Sequence, residues 1–157
     1  MVGIDRLLDA VAANHLRDPA RAAIVVDLGS AITVDLVSPE GAFLGGVIMP
    51  GIAMSARALY QFTDLLPEIE MSELTVPPPV LGTSTVPAMR SGLFWGAVGA
   101  IRQLIELLGD RVTGEPEVFL SGGAGPAVAE LLGRSVRHVP HLTLAGIVLT
   151  ARLQCET

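Results

Sequence analysis

"VVDLGSAITVDLV", residues 25–37, decides the fold. Its two apolar arms flank a Gly29-Ser30 turn, so the stretch reads as two strands joined tightly. Each arm carries an acid: Asp27 lies two residues before the turn, and Asp35 follows eight later. Aspartate is depleted in strands, and burying a carboxylate without partners is costly. The segment is therefore either an ordinary hairpin with two tolerated acids, or a turn whose carboxylates and backbone N–H groups handle a charged ligand.

Working outward, residues 22–28, 32–37 and 43–49 read as three strands, separated by the Gly29-Ser30 turn and by "SPEG", and stopped by Pro50-Gly51. Connections this short predict an antiparallel meander. Upstream, Ile4, Leu7, Leu8, Val11 and Ala12 recur at helical spacing and predict a helix over 4–16, broken by "RDPAR". Downstream, helices are expected over 52–66 and 86–108, around an irregular stretch, "LTVPPPVLGTSTV". A strand over 118–120 ends in Gly122-Gly123, and a helix over 126–132, a strand over 136–139 and a helix over 142–153 follow. The order is a meander and then helix-linked strands, which should be parallel. That is the order of a ribonuclease-H-like α/β half of an actin-type ATPase.

Composition narrows the function. With 157 residues, half of them hydrophobic, the chain is expected to form a single domain over 1–157. The longest uncharged apolar stretches, 42–54 and 91–101, fall short of the roughly 18 residues of a membrane span. No basic-then-apolar leader opens the sequence, and the one cysteine, Cys155, excludes an internal disulfide and a cysteine metal cluster, so a reduced, cytoplasmic protein is expected. All ten basic residues are arginine, which excludes a P-loop and Schiff-base chemistry, since both need lysine. A net charge of −6 with scattered arginines argues against a nucleic-acid partner.

Several side chains admit a chemical and a plainer reading. Asp27-Leu28-Gly29-Ser30 could receive phosphate and its cation, or be a simple β-turn. Asp35 alone reads as a surface or hydrogen-bonded acid. In Gly3-Ile4-Asp5-Arg6, Asp5 complements the helix dipole and Arg6 is a solvated charge unless a substrate engages them. Gly122-Gly123 could admit an adenine or ribose, or merely end a strand. Gly82-Thr83-Ser84-Thr85 offers hydroxyls to a ligand or to a helix cap. His15, His138 and His141 read as structural or surface residues, and Trp95 as core. Gly92, Gly96 and Ala100 form a small-residue stripe suited to close packing of helices, including across a dimer.

Taken in order, five segments resemble the type III pantothenate kinases, also called the Baf family. "GIDR" is similar to that family's Gly-x-Asp-Arg, and "VVDLGSAITVD" to its Asp-x-Gly-Thr-Ala-Thr-Thr phosphate loop. "FLGGVIMPGIAMSARAL" resembles its Gly-Gly-x-Ile-x-Pro-Gly stretch, "GTSTVPAMRSGLFWGAVG" its Gly-x-Asn-Thr segment with the following helix, and "VFLSGG" its late strand end. The resemblance implies phosphorylation of pantothenate to 4'-phosphopantothenate by ATP with Mg²⁺, activated by potassium or ammonium. A homodimer is expected separately, from the apolar helix around Gly92, Trp95 and Gly96, a face suited to cover by a second copy. The resemblance makes Asp5 the proton acceptor and Gly3, Ile4, Asp5, Arg6 and Thr85 the pantothenate contacts. Asp27 would hold the monovalent cation, and Ser30 would approach the ATP phosphates. One carboxylate orienting the attacking hydroxyl suits phosphoryl transfer, which is mainly positioning and charge neutralisation.

The match departs from the family pattern where Ser30 and Ile32 replace threonines and Ser84 replaces asparagine. The family also opens with another ribonuclease-H-like half, carrying an Asp-x-Gly-Asn-Thr loop, so the sequence is expected to correspond to the second half and to be weakly active or inactive alone. Two other readings remain: a non-catalytic dimerisation or ligand-binding module, and a Baf-type transcriptional accessory factor, which the acidic charge disfavours.

Overall fold

The computed structural model describes residues 1–71, 76–123, 125–133 and 135–155. The elements are α1 (Ile4–Leu16), β1 (Ala23–Leu28), β2 (Ala31–Val37), β3 (Phe43–Pro50), α2 (Ile52–Gln61), α3 (Thr85–Gly109), β4 (Glu117–Gly122), α4 (Gly125–Leu132), β5 (Val136–His138) and α5 (Leu142–Cys155). The strands form one sheet in the order β3-β2-β1-β4-β5. β1, β2 and β3 are an antiparallel meander, and β1–β4 and β4–β5 pair parallel, as expected.

β1 lies in the middle, which accounts for its unbroken apolar run: a strand covered on both faces has no polar face to show. Ile24, Val26 and Leu28 join Ile32, Val34 and Leu36 in one core with Phe94, Val98 and Ile101 of α3. Ala23 and Val25 point the other way, packing with Val37, Phe119, Ala12 and Ala13 of α1, and Leu142 of α5. The alternation also puts Asp27 and Asp35 on the α1/α5 side, since odd-numbered residues of both strands share that face.

An irregularity in β3 matters for that side. Leu36 pairs with Gly45 but Val37 with Phe43, so Leu44 is an extra residue. Gly45 takes a φ of +110°, a region that glycine enters without steric cost. The bulge turns the Phe43 ring onto the α1 face, away from Met49, which packs into the opposite core.

Helix α2 stops at Gln61, short of the expected 66. The Phe62 N–H donates to the Ala58 carbonyl at the C-cap, and Thr63 Oγ1 donates to the Leu59 carbonyl. Leu65 is 92% exposed, and only Leu66 of the leucine pair that extended the apolar pattern is partly covered. The residue before Pro67 is also steered away from helical angles. Of the proline-rich stretch 74–86, residues 74 and 75 lie outside the described residues. Trp95 sits at the rim of the core, half-buried, donating its Nε1–H to the Pro78 carbonyl at 3.0 Å.

Helices α1 and α5 cross closely because Gly146 has no side chain: a Cβ there would land on the Leu8 carbonyl oxygen. Gly146→Val should therefore lower stability by roughly 1–3 kcal/mol, the usual cost of overpacking. Thermal unfolding checks this, and an unchanged midpoint would show that the crossing is loose. No helix among the described residues is long and apolar enough to cross a membrane.

Candidate active site

Parallel pairing aligns Asp27 with Ser121 and Leu28 with Gly122, so two strand ends finish side by side. Gly122 adopts a φ of +96°, and a Cβ there would strike the Leu28 backbone, so only glycine permits this approach. Beyond these carboxyl ends lies a cleft of about 430 Å³ lined by Asp27, Ser121, Gly123, His138, His141 and Thr143 among others. The crevice at the carboxyl ends of the strands is where open α/β sheets bind ligands. His141, at φ 59°, is the non-glycine residue with positive φ recorded among the described residues. Its carbonyl accepts from the Ala145 N–H, and the Leu142 N–H donates to Ser121 Oγ, which roots α5 at the cleft.

The β1–β2 turn leaves Gly29 and Ser30 exposed, with the Gly29 N–H donating to the Ala31 carbonyl at 3.1 Å. The Gly51 N–H donates to the Ser30 carbonyl at 3.0 Å, and a Cβ on Gly51 would overlap the Gly29 and Ser30 carbonyls. The Pro50-Gly51 junction is thus seated against the turn, which joins two sequence motifs into one surface.

Helix α1 supplies further acids. Asp5, exposed in the first turn, folds its carboxylate back over Gly3, where a Cβ would meet Asp5 Oδ1. Asp9, one turn on, is only 3% exposed and accepts a 2.7 Å hydrogen bond from Thr143 Oγ1 of α5. Burial pushes the Asp9 carboxyl up to about 6, reinforced by the charges of Asp27, Asp5 and Asp35. Burial likewise raises Asp27, with Asp5 and Asp35 adding repulsion. Asp5, Asp9 and Asp27 therefore share one electrostatic neighbourhood, the arrangement expected where a cation or a proton is to be handled.

Arg6 is not a solvated charge, and of the two readings of Asp35 it is the hydrogen-bonded acid that the structure shows. Arg6 Nε donates to Asp35 Oδ1 at 3.1 Å and to Oδ2 at 3.0 Å, and Nη2 also donates to Oδ1. Asp35 is 2% exposed. The pairing holds the Arg6 guanidinium above its ordinary range, and the Phe43 ring lies 5.4 Å beneath it.

The other expected residues are placed less centrally. Thr85 is exposed at the start of α3, in the layer on the far face of the sheet, and does not line the cleft. Ile4 is 70% exposed. His138 and His141, read from sequence as structural or surface, line the cleft, and so does Thr143, which sequence reading passed over. Asp9 did carry a signal: it lies four residues after Asp5, on the same helix face. The histidines carried none, because only the β5–α5 connection brings them beside Asp27.

A five-stranded sheet of order 3-2-1-4-5, with helices on both faces and a cleft at the strand ends, is the ribonuclease-H-like fold. Solved structures agree on this fold. A conserved Baf family transcriptional activator from Campylobacter jejuni superposes with a TM-score of 0.69 at 24% identity, over 99% of this chain and 66% of that one. The activator of 2-hydroxyisocaproyl-CoA dehydratase from Clostridium difficile, with bound ADPNP, superposes with a TM-score of 0.51 at 15% identity, over 98% and 69%. The chain belongs to the type III pantothenate kinase family, whose model matches residues 1–107. It is 42% identical over 150 residues to the type III pantothenate kinase of Acidiphilium cryptum, covering 96% of this chain and 54% of that protein. It is 38% identical over 162 residues to that of Koribacter versatilis, covering 99% and 56%. The chain spans about half the length of the curated relatives it matches.

Proposed function

We propose that residues 1–157 act as one unit, equivalent to the C-terminal half of a type III pantothenate kinase, and supply the pantothenate side of ATP-dependent phosphoryl transfer. The observation that carries this reading is the seating of the Pro50-Gly51 junction against the Gly29-Ser30 turn beside Asp27, which joins two motifs of the segment the family model matches into one surface at the cleft end of the sheet. Asp5 accepts the proton of the attacking hydroxyl. Gly3, Ile4 and Arg6 hold pantothenate from the start of α1; Thr85, in the layer on the far face of the sheet, would join them from a second copy of the chain. Ser30 and the Gly29 turn face the ATP phosphates.

Asp27 suits a monovalent cation, potassium or ammonium. Its half-buried carboxylate is repelled by Asp5 and Asp35, and a cation relieves that repulsion. Among the described residues no group of three His, Cys, Asp or Glu side chains could hold a metal. Mg²⁺ fits here as an ion carried by ATP, since magnesium is commonly bound through one or two carboxylates plus phosphates. It would neutralise charge on the transferred phosphoryl group.

Two copies meet, in this reading, across the outer face of α3. Gly92 and Gly96 are exposed there, and a Cβ on either would meet only open space.

The test is to join this chain to the N-terminal half of the Acidiphilium cryptum relative and measure ADP release. Pantothenate-dependent turnover that requires potassium or ammonium is expected, and Asp27→Ala should weaken cation activation more than pantothenate affinity. The 157-residue chain alone should bind ATP weakly, since each tenfold loss of affinity needs only about 1.4 kcal/mol of missing contact. A folded fusion that binds ATP but turns over no pantothenate would refute the proposal.

A further inference from the structure

We infer that Asp35 is a positioning residue: through its buried pair with Arg6 it clamps the first turn of α1 to β2, fixing Asp5 and the outward edge of the Arg6 guanidinium where substrate is bound. This rests on the pantothenate reading for the ligand but not for the clamp.

The first turn of α1 has little else to hold it. Its N-cap, Gly3, makes no side-chain capping hydrogen bond, and residues 1–5 are all exposed. Ile4 and Leu7 stand 70% and 36% exposed. The next ties to the body of the protein are the Leu8 backbone against Gly146 and the Asp9–Thr143 hydrogen bond. Between the chain start and Leu8, Arg6 is the side chain drawn inward, 12% exposed and bonded to both oxygens of Asp35. A guanidinium has five N–H donors in a planar fork, so an edge engaged on Asp35 leaves the far edge for an anionic group.

The sheet is built around this carboxylate. Asp35 pairs with Gly46 on β3, and a Cβ at Gly46 would occupy the place of Asp35 Oδ1. The adjacent bulge turns Phe43 beneath the guanidinium. Apolar residues of similar volume generally stabilise a core as well as a buried ion pair does. Fixed geometry is what a bidentate pair adds, and here it is added one residue from Asp5.

The 157-residue chain tests this with Asp35→Asn, Arg6→Met, Arg6→Lys and the double variant Arg6→Met/Asp35→Asn. Amide hydrogen exchange at residues 7–9, whose N–H groups bond back to the carbonyls of the first turn, should accelerate at least tenfold in Asp35→Asn, while exchange in β1 and β4 stays unchanged. Pantothenate affinity, measured by calorimetry, should fall at least tenfold in Asp35→Asn but less than a further twofold when the same change is added to Arg6→Met. Arg6→Lys, which keeps the charge and loses the fork, should resemble Asp35→Asn. Wild-type exchange in a folded Asp35→Asn chain, or additive losses of affinity, would overturn the clamp. A wild-type chain that binds no pantothenate refutes the substrate reading, and exchange alone then decides the clamp. Failure of every variant to fold would make the pair a folding element and overturn the positioning role.

Discussion

Asp5→Asn, introduced into the fusion with a relative's N-terminal half, should lower pantothenate-dependent turnover by about 10²–10⁴-fold, the usual contribution of a general base. The change is nearly isosteric, and Asp5 is exposed on the first turn of α1, so folding should survive it. Asparagine cannot accept a hydroxyl proton, and it also removes one of the charges that raise Asp27. The Asp27 carboxyl should consequently move down toward its ordinary range, which NMR titration can follow separately from turnover. Circular dichroism would confirm the fold. A variant that keeps more than a tenth of the parent rate would show that another group takes the proton.

Asp9→Asn should stabilise the protein at pH 7.5 and scarcely at pH 4. In the folded chain the Asp9 carboxyl holds its proton up to about 6, against an ordinary value of 3.8. Between those values the folded state binds more protons than the unfolded one, so stability falls as pH rises from about 4 to 6. Above that window the whole penalty persists, about 3 kcal/mol for a shift of this size. Asparagine removes the buried charge and keeps an oxygen for the Thr143 hydroxyl. For a protein of this length each kcal/mol moves the midpoint by roughly 2–4 °C. Equal gains at both pH values, or none at pH 7.5, would contradict the assignment.

The strands and most helix limits were legible in the sequence because they rest on local signals. The run before Gly29-Ser30, the "SPEG" turn and Pro50-Gly51 marked the meander to within a residue. The end of α2 was not legible, since Leu65 and Leu66 continue an apolar pattern but whether a surface receives them is a tertiary matter. Asp5 and Asp27 stand out as candidates in "GIDR" and "VVDLGS", yet how near they come depends on how α1 lies on the sheet, and Gly146 against Leu8 governs part of that. Nor could sequence join Arg6 to Asp35, 29 positions apart. Asp35 read alone looks like an ordinary strand acid, and Gly46, which yields the space it needs, looks like one more glycine in a glycine-rich stretch. The cleft histidines were the least accessible, because no spacing links them to Asp27.

The bulge in β3 has a consequence for how copies of this molecule can meet. An outer strand presents unpaired N–H and C=O groups that invite another strand to add on. Here one outer strand is kinked at Leu44 and closes in Pro50, which has no N–H to donate, while the outer strand on the opposite flank, β5, is only three residues long. Both flanks are poor templates for lateral growth. Encounters between copies are thereby diverted from backbone pairing, which would propagate without limit, toward side-chain contact between helices, which can close after two.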